Sequence, residues 1–225
     1  MNTQEMNADT AAIIERLQAL GCSDLSDAMD RLRINCQCLG IKPLDRGFSL
    51  AGRAWTLRYG PIDPQNPGTV GDYIDDLEPG TVVVLDNQGR LDATVWGDIL
   101  TSVASVKGIA GTVIDGVCRD VNRALELDYP IFSRDNYMRT GKDRVQVEAT
   151  GEPVNIGGVR VATGDWLRGD ADGVVVVPGD RLEEVLTVAE EIAAAEERIR
   201  ADIATMSLRE ARTKNSYHSL QTARD

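Results

Sequence analysis

Residues 81–132 read TVVVLDNQGRLDATVWGDILTSVASVKGIAGTVIDGVCRDVNRALELDYPIF. Thr81–Leu85 is a nearly continuous apolar run, the pattern of a strand buried on both faces. A loop over Asp86–Ala93 follows. From Gly97 to Lys107 the residues Ile99, Leu100, Val103 and Val106 recur at helical spacing, and Gly108 stops the helix. Gly111–Asp115 repeats the strand pattern, Asp120–Leu127 the helix, and Tyr129–Phe132 gives a third strand. Strand, helix, strand, helix, strand is a βαβαβ unit, with parallel strands joined by right-handed crossovers.

Upstream, residues 9–20 form an amphipathic helix capped by Asp9 or Thr10 and closed by Gly21. A short helix opens at Ser23 and runs to about Leu32, residues 48–58 alternate as a strand, and Thr69–Leu77 reads as a helix closed by Pro79-Gly80. Downstream, short strands at turn spacing follow: Arg144–Ala149, Glu152–Ile156, Val159–Ala162, Asp165–Arg168 and Val174–Val177. Turns at Gly157-Gly158, Gly164 and Asp172-Gly173 separate them, which predicts antiparallel structure. A final helix spans Asp180–Ala204, with Leu182, Val185, Val188, Ile192 and Ala195 on one face. Residues 1–8 and 209–225 read as flexible or interface tails. With no repeat or linker, the expectation is one α/β domain: a parallel core, appended antiparallel strands and flanking helices.

Composition narrows the chemistry. The chain has 225 residues, 24 basic against 36 acidic, and a net charge of −12. That balance disfavours nucleic acid and anionic membranes, both of which need clustered Lys and Arg. No apolar run reaches the length of about 18 that a membrane span requires, and the N-terminus lacks the basic-then-apolar pattern of a secretory signal. The one histidine, His218, stands in the polar C-terminal region, which disfavours a Ser-His-Asp triad or multi-His zinc site within one chain's core. Cys22, Cys36, Cys38 and Cys118 lack zinc-knuckle spacing and read as reduced cytoplasmic thiols. Arg119 would lower the pKa of Cys118, but no His base accompanies it. None of the four lysines lies in an apolar strand, which disfavours a Schiff base. Carboxylates, arginine, backbone amides or a metal remain.

Ligands of open parallel sheets collect beyond the carboxyl ends of the strands. There the chain places Trp96-Gly97-Asp98-Ile99-Leu100 at one helix start and Arg119-Asp120 at the next strand exit. The amides of Gly97, Ile99 and Leu100 form an anion cradle, and Arg119 is a planar cation for a carboxylate. Asp98 and Asp120 are hard oxygen donors suited to Mg²⁺ or Mn²⁺. The plainer reading is that Asp98 caps its helix and Arg119-Asp120 is a solvated pair. Likewise Trp96 either walls a pocket or packs in the core. Arg134, Arg139 and Lys142, at the same edge, either meet a distal carboxylate or face solvent. The pairs Glu190-Glu191 and Glu196-Glu197 read as a solvent face.

These residues resemble the RraA-like family, which holds the regulator of ribonuclease E activity A and the class II pyruvate aldolases. The aldolase branch carries Asp, twenty intervening residues, then Arg-Asp, matched here by Asp98, Ile99–Cys118 and Arg119-Asp120. The likeness extends over Ser23–Met29, Ala51–Ala54, Pro79–Asp86, Trp96–Arg119, Ile156–Val161 and Asp172–Pro178. It implies a swivelling β/β/α fold, a trimer or dimer of trimers, and sites at subunit interfaces. It further implies that Asp120 ligates the metal, Asp98 holds it through water, Arg119 contacts the pyruvyl group, and the amides after Trp96 cradle the substrate carboxylate. The implied activity is metal-dependent cleavage of 4-hydroxy-4-methyl-2-oxoglutarate-type 2-oxo dicarboxylates to pyruvate, with oxaloacetate decarboxylation through the same enolate. The base for the C4 hydroxyl is then a water or hydroxide near the metal, or a carboxylate of a neighbouring subunit. The alternative is a non-catalytic regulator that binds and inhibits ribonuclease E.

Overall fold

The computed structural model describes residues 3–217, with side chains from Ala8 onward. In chain order its helices are α1 (Thr3–Ala19), α2 (Cys22–Arg31), α3 (Asp98–Lys107), α4 (Val121–Glu126), α5 (Leu182–Asp202) and α6 (Leu208–Lys214). The strands are β1 (Lys42–Pro43), β2 (Leu50–Pro61), β3 (Thr81–Thr94), β4 (Gly111–Cys118), β5 (Ile131–Asn136), β6 (Val145–Thr150), β7 (Val154–Ile156), β8 (Val159–Val161), β9 (Trp166–Asp170) and β10 (Gly173–Val177). The contacts fall into two compact units where the sequence reading expects one domain: residues 37–180, and the two chain ends 1–36 with 181–225. No Pro/Gly-rich linker marks the boundary, so composition gives no sign of it.

Residues 37–180 hold the sheet, in the order β1-β5-β4-β3-β2-β9-β10 with β6 beside β2. The pairs β2–β3, β3–β4 and β4–β5 are parallel, and β9, β10, β6 and β1 add antiparallel edges. The expected mixed α/β architecture is therefore present. Its centre is the run Val82–Leu85 with Val113, Ile114, Ile131 and Phe132, all fully buried. Each such side chain contributes about 1.5–3 kcal/mol by leaving water.

Three elements depart from expectation. β3 continues through the residues read as a loop, because its register with β4 slips between Asp86 and Arg90 and again between Arg90 and Thr94. Gln88 and Gly89 take left-handed backbone there, and the Asn87 amide donates to Ala93 O at 3.0 Å. A bulge of this kind breaks the alternation that would announce a strand. The helix read over 69–77 is only a 3-10 turn, Asp72–Asp76. Tertiary contacts hold its segment instead: Tyr59 Oη donates to Val70 O at 2.6 Å and Trp55 stacks on Tyr73. On α3, Ile99 and Val106 are 75% and 90% exposed, while Thr101 and Ala104 face the core.

Two acidic side chains are buried where β3 and β4 pair, Asp86 opposite Asp115. Asp86 accepts from Gln88 N at 2.8 Å and Asn155 N at 3.2 Å. Asp115 accepts from Gly157 N at 2.8 Å and makes a short ion pair with Arg134 Nε. These carboxylates pin the β7–β8 hairpin to the strand ends. The Arg134 guanidinium is held there through Nε, its pKa raised by the bond to Asp115.

The chain ends form the second unit. Along α5 the buried residues Leu182, Val185, Leu186, Ala189, Ile192, Ala195 and Ile199 trace one stripe. Arg16 bonds Glu183 and Glu190 at 2.8 and 2.7 Å, and buried Arg31 lies 3.6 Å from Glu191. Glu196 and Glu197 pair with Arg200. The acidic pairs are therefore matched by arginines rather than left to solvent alone. Residues read as tails are helical: α1 starts at Thr3, and α6 is opened by the Ser207–Glu210 capping box. His218 lies outside the described residues. No described helix is long and apolar enough to cross a membrane.

All four cysteines are free and buried. Burial pushes the Cys118 thiol up to about 11 and the Cys36 thiol up to about 12. The lowered pKa expected for Cys118 is thus replaced by a raised one.

Two outcomes follow. Asp115→Ala leaves Arg134 and the Gly157 amide unpaired and should cost about 3 kcal/mol in urea unfolding. The folded Cys118 keeps its proton to about 11 while an exposed thiol releases it near 9.0. Stability is therefore lost as pH rises from about 9 to about 11, with Cys36 adding in the same direction. Unfolding curves across that range should show a slope that Cys118→Ala reduces; an unchanged slope would contradict the burial assignment.

Candidate active site at the α3 N-terminus

The expected site residues converge where β3 and β4 end. β3 leaves the sheet at Thr94, and Val95-Trp96-Gly97 leads directly into α3. β4 ends at Cys118, and Arg119 N donates to Trp96 O at 3.0 Å, tying the two strand exits together. Thr94 Oγ1 lies within bonding distance of Trp96 O at 2.9 Å and Val117 O at 3.0 Å, from below the same junction. This brings Arg119 and Asp120 against the start of α3 despite the residues between them.

Asp120 stands at the cap position of α4 but makes no side-chain capping bond to its own helix. Its backbone is left-handed, φ 57°, a conformation that Asp tolerates better than most residues and that carries some strain. The carboxylate turns back toward α3: Oδ2 accepts from Asp98 N at 3.2 Å and lies 3.3 Å from Arg119 Nε. A Cβ at 97 would meet Asp120 Oδ2 at 2.8 Å, so a side chain there would displace the carboxylate from this position. Gly116 is similarly close-packed, with Asn87 Cβ 2.9 Å from where its own Cβ would stand.

The expected amide cradle is present with one change. Asp98 Oδ1 accepts from Ile99 N at 2.9 Å, so that amide is taken by its neighbour's side chain. Among the described residues, Gly97 N and Leu100 N have no assigned partner and remain open to an anion, at the positive end of the helix. Asp98 thus satisfies a first-turn amide of its own helix and keeps its second oxygen without an assigned protein partner. Trp96 also has both roles, 1% exposed and yet contributing to the cavity wall.

A cavity of about 460 Å³ opens over this helix start. Its near wall is 94–100 with Arg119; its far wall comes from residues 68–72, 140–143 and Val145. Lys142 lines it, whereas neither Arg134 nor Arg139 does. Arg119 also borders a second hollow of about 270 Å³ shared with Asp120, Asn122, Asn136, Tyr137 and Met138. The guanidinium therefore stands between two openings, with its side chain 39% exposed.

Among the described residues no three His, Cys, Asp or Glu side chains gather into a closed metal cage. The donors present are two carboxylates, with Asp120 Oδ1 and Asp98 Oδ2 free of assigned protein partners. Such a set fits a hard cation such as Mg²⁺ or Mn²⁺, which keeps several waters and uses one or two protein carboxylates beside oxygens of the substrate. The sequence reading placed Lys142 at this edge but missed Thr94, Thr101 and the rest of the far wall. A Thr next to a helix start is a weak signal, and a loop that folds over from 68–72 gives none.

A family model described as RraA-like (Aldolase/RraA) matches residues 22–176. Protein DlpA of Legionella pneumophila is 38% identical over 208 residues, 91% of this chain, which spans only 34% of that protein's length. A Halalkalibacterium halodurans protein named "Putative 4-hydroxy-4-methyl-2-oxoglutarate aldolase" is 32% identical, covering 82% of this chain and 85% of its own. A crystal structure of an uncharacterized protein from Pseudomonas syringae superposes with a TM-score of 0.84 at 37% identity, over 90% of this chain and 97% of the other. The chain belongs to the RraA-like family.

Proposed function

We propose that this chain is a divalent-metal-dependent carbon–carbon lyase of the cytoplasm. On this reading it cleaves 4-hydroxy-4-methyl-2-oxoglutarate-type 2-oxo dicarboxylates to pyruvate and decarboxylates oxaloacetate through the same enolate. The observation that carries it is the meeting of Arg119 and the open Gly97 and Leu100 amides on one cavity wall, with the Asp120 carboxylate bonded to the Asp98 amide and beside Arg119 at its edge. The name of the Halalkalibacterium relative supports the same direction.

The amides of Gly97 and Leu100 receive the C1 carboxylate at the helix N-terminus. Arg119 keeps Nε beside Asp120, which leaves its Nη groups to meet the 2-oxo oxygen. When the C3–C4 bond breaks, its electrons move to that oxygen, and Arg119 stabilises the charge that develops there. In aldol cleavage the C4 hydroxyl gives its proton to a water or to a carboxylate of a neighbouring subunit, and C4 leaves as the carbonyl carbon of a second 2-oxo acid; in decarboxylation the C4 carboxylate leaves as carbon dioxide. Either way a proton then returns to C3 and pyruvate is released. Asp120, and Asp98 through water, would hold Mg²⁺ or Mn²⁺, which supplies Lewis-acid polarisation of the 2-oxo group. Lys142 on the far wall faces the distal carboxylate.

Pyruvate release from oxaloacetate, followed by coupled lactate dehydrogenase, should vanish with EDTA and return with Mg²⁺ or Mn²⁺. Arg119→Ala should lower kcat by about 10²–10³, and Arg119→Lys should recover little because the planar fork is lost. Melting temperatures should barely move. Turnover by both variants within about threefold of the parent, against the loss expected for such a donor, removes Arg119 from the reaction. Absence of turnover together with capture of ribonuclease E would favour the regulator instead.

The same reading includes a homo-oligomer, a trimer or dimer of trimers. Ile99 and Met138, each about three-quarters exposed at 75% and 76%, border the two openings beside Arg119 and suit burial against a second subunit. Light scattering should give three or six times the chain mass of 24.4 kDa. A value of one chain mass at micromolar concentration would overturn it.

A further inference from the structure

We propose that Thr101, backed by the indole of Trp96, is a positioning residue: it fixes the Gly97–Asp98 peptide and, through that peptide, the direction of the Asp120 carboxylate. The consequence for metal binding rests on the function proposed above. The consequence for the Asp98 amide does not.

The bonds run in one direction. Trp96 Nε1 donates to Thr101 Oγ1 at 2.9 Å, and Thr101 Oγ1 donates to Gly97 O at 2.9 Å. Thr101 N donates to the same Gly97 oxygen at 3.0 Å. Gly97 O is thus held by two donors on one residue. A peptide is planar, so fixing its oxygen also fixes the N–H at its other side. That N–H belongs to Asp98 and donates to Asp120 Oδ2 at 3.2 Å. The end of the chain of bonds is the carboxylate placed to hold a cation.

A threonine hydroxyl bonding the carbonyl four residues back is common in helices and by itself implies nothing. The indole donor is what changes its meaning. Trp96 N–H is buried and can only donate, so it occupies a lone pair of Thr101 Oγ1 and leaves the hydroxyl hydrogen aimed at Gly97 O. Both residues are 1% exposed, so water does not compete. The ring itself is held from behind, stacked at 6.1 Å on Tyr129, whose hydroxyl bonds Thr112 Oγ1 at 2.8 Å. Successive donors polarise one another in such a dry setting. The preceding peptide is braced likewise, its Trp96 oxygen meeting Thr94 Oγ1 and Arg119 N. Two consecutive peptide planes at the helix start are each held at the oxygen, which sets where their amides point.

The test compares the parent with Thr101→Val, which keeps the branched shape without the hydroxyl, and Thr101→Ser, which restores it. The first readout is the hydrogen-exchange rate of the Asp98 amide by NMR. The second is the Mn²⁺ dissociation constant of the substrate-free protein, with Asp120→Asn alongside. Partners behind metal ligands are worth about 10–100-fold in affinity. Thr101→Val should therefore weaken Mn²⁺ binding about tenfold or more, and Asp98 exchange should speed up as its bond to Asp120 loosens. Thr101→Ser should stay within about threefold of the parent on both, well inside that range. Parent-like exchange at Asp98 in Thr101→Val overturns the proposal. So does parent-like Mn²⁺ affinity in Thr101→Val where Asp120→Asn has lost it, and so does failure of Thr101→Ser to restore. A parent that binds no Mn²⁺, or an Asp120→Asn that binds it equally, removes the metal reading and leaves Asp98 exchange to decide. Should Thr101→Val not fold, Trp96→Phe, which deletes the indole donor, decides on the same readouts: a shift in the same direction supports the proposal, and none overturns it.

Discussion

The hydrogen bond from the Asp98 amide to the Asp120 carboxylate ties one strand exit to the other. Its requirements account for much of the local sequence. Position 97 must lack a Cβ, because the carboxylate oxygen occupies that space. Asp120 must leave its own helix uncapped and adopt a left-handed backbone to reach back. Arg119 must stand beside it to balance the charge, and its amide must close onto Trp96 O. Together with the bond from Arg119 N to Trp96 O, it brings a cation, two carboxylates and a helix terminus to one junction.

A different pair of carboxylates shows what else acidic side chains do in the same sheet. Asp86 and Asp115 sit in register on β3 and β4, buried, with their oxygens satisfied by backbone amides and by Arg134. Asp98 and Asp120 lie further out and keep oxygens without protein partners. Residue type does not separate the two pairs; saturation does. A fully bonded buried carboxylate is structural, whereas one with an open oxygen at a cavity retains the capacity to bind a ligand.

Legibility in the sequence followed the range of the interactions. The parallel core could be read because the apolar runs at 81–85 and 111–115 are set by burial on both faces. The approach of Asp98 to Arg119 could be read because a βαβ unit has few geometries. The continuation of β3 was hidden by its bulge, and the 3-10 turn by contacts from Tyr59 and Trp55 that no local pattern encodes. On α3 the apolar spacing suggested one inward face, but Ile99 and Val106 point out. The match of Arg16 to Glu183 and Glu190 spans more than 160 residues of chain, and the resulting helical unit left no mark in composition. Far-wall loops and hydroxyl directions depend on rotamers and closure, which a single sequence does not carry.

The left-handed backbone of Asp120 has a consequence for anyone selecting variants of this protein by heat. Glycine occupies that region of backbone space without strain, and asparagine does so nearly as well. A thermal screen rewards relief of the strain, so it would enrich replacements at a position whose carboxylate accepts from the Asp98 amide and pairs with Arg119. Backbone ease and that junction compete here for a single residue. A stabilised library from this scaffold should therefore be sorted first by whether position 120 is still acidic.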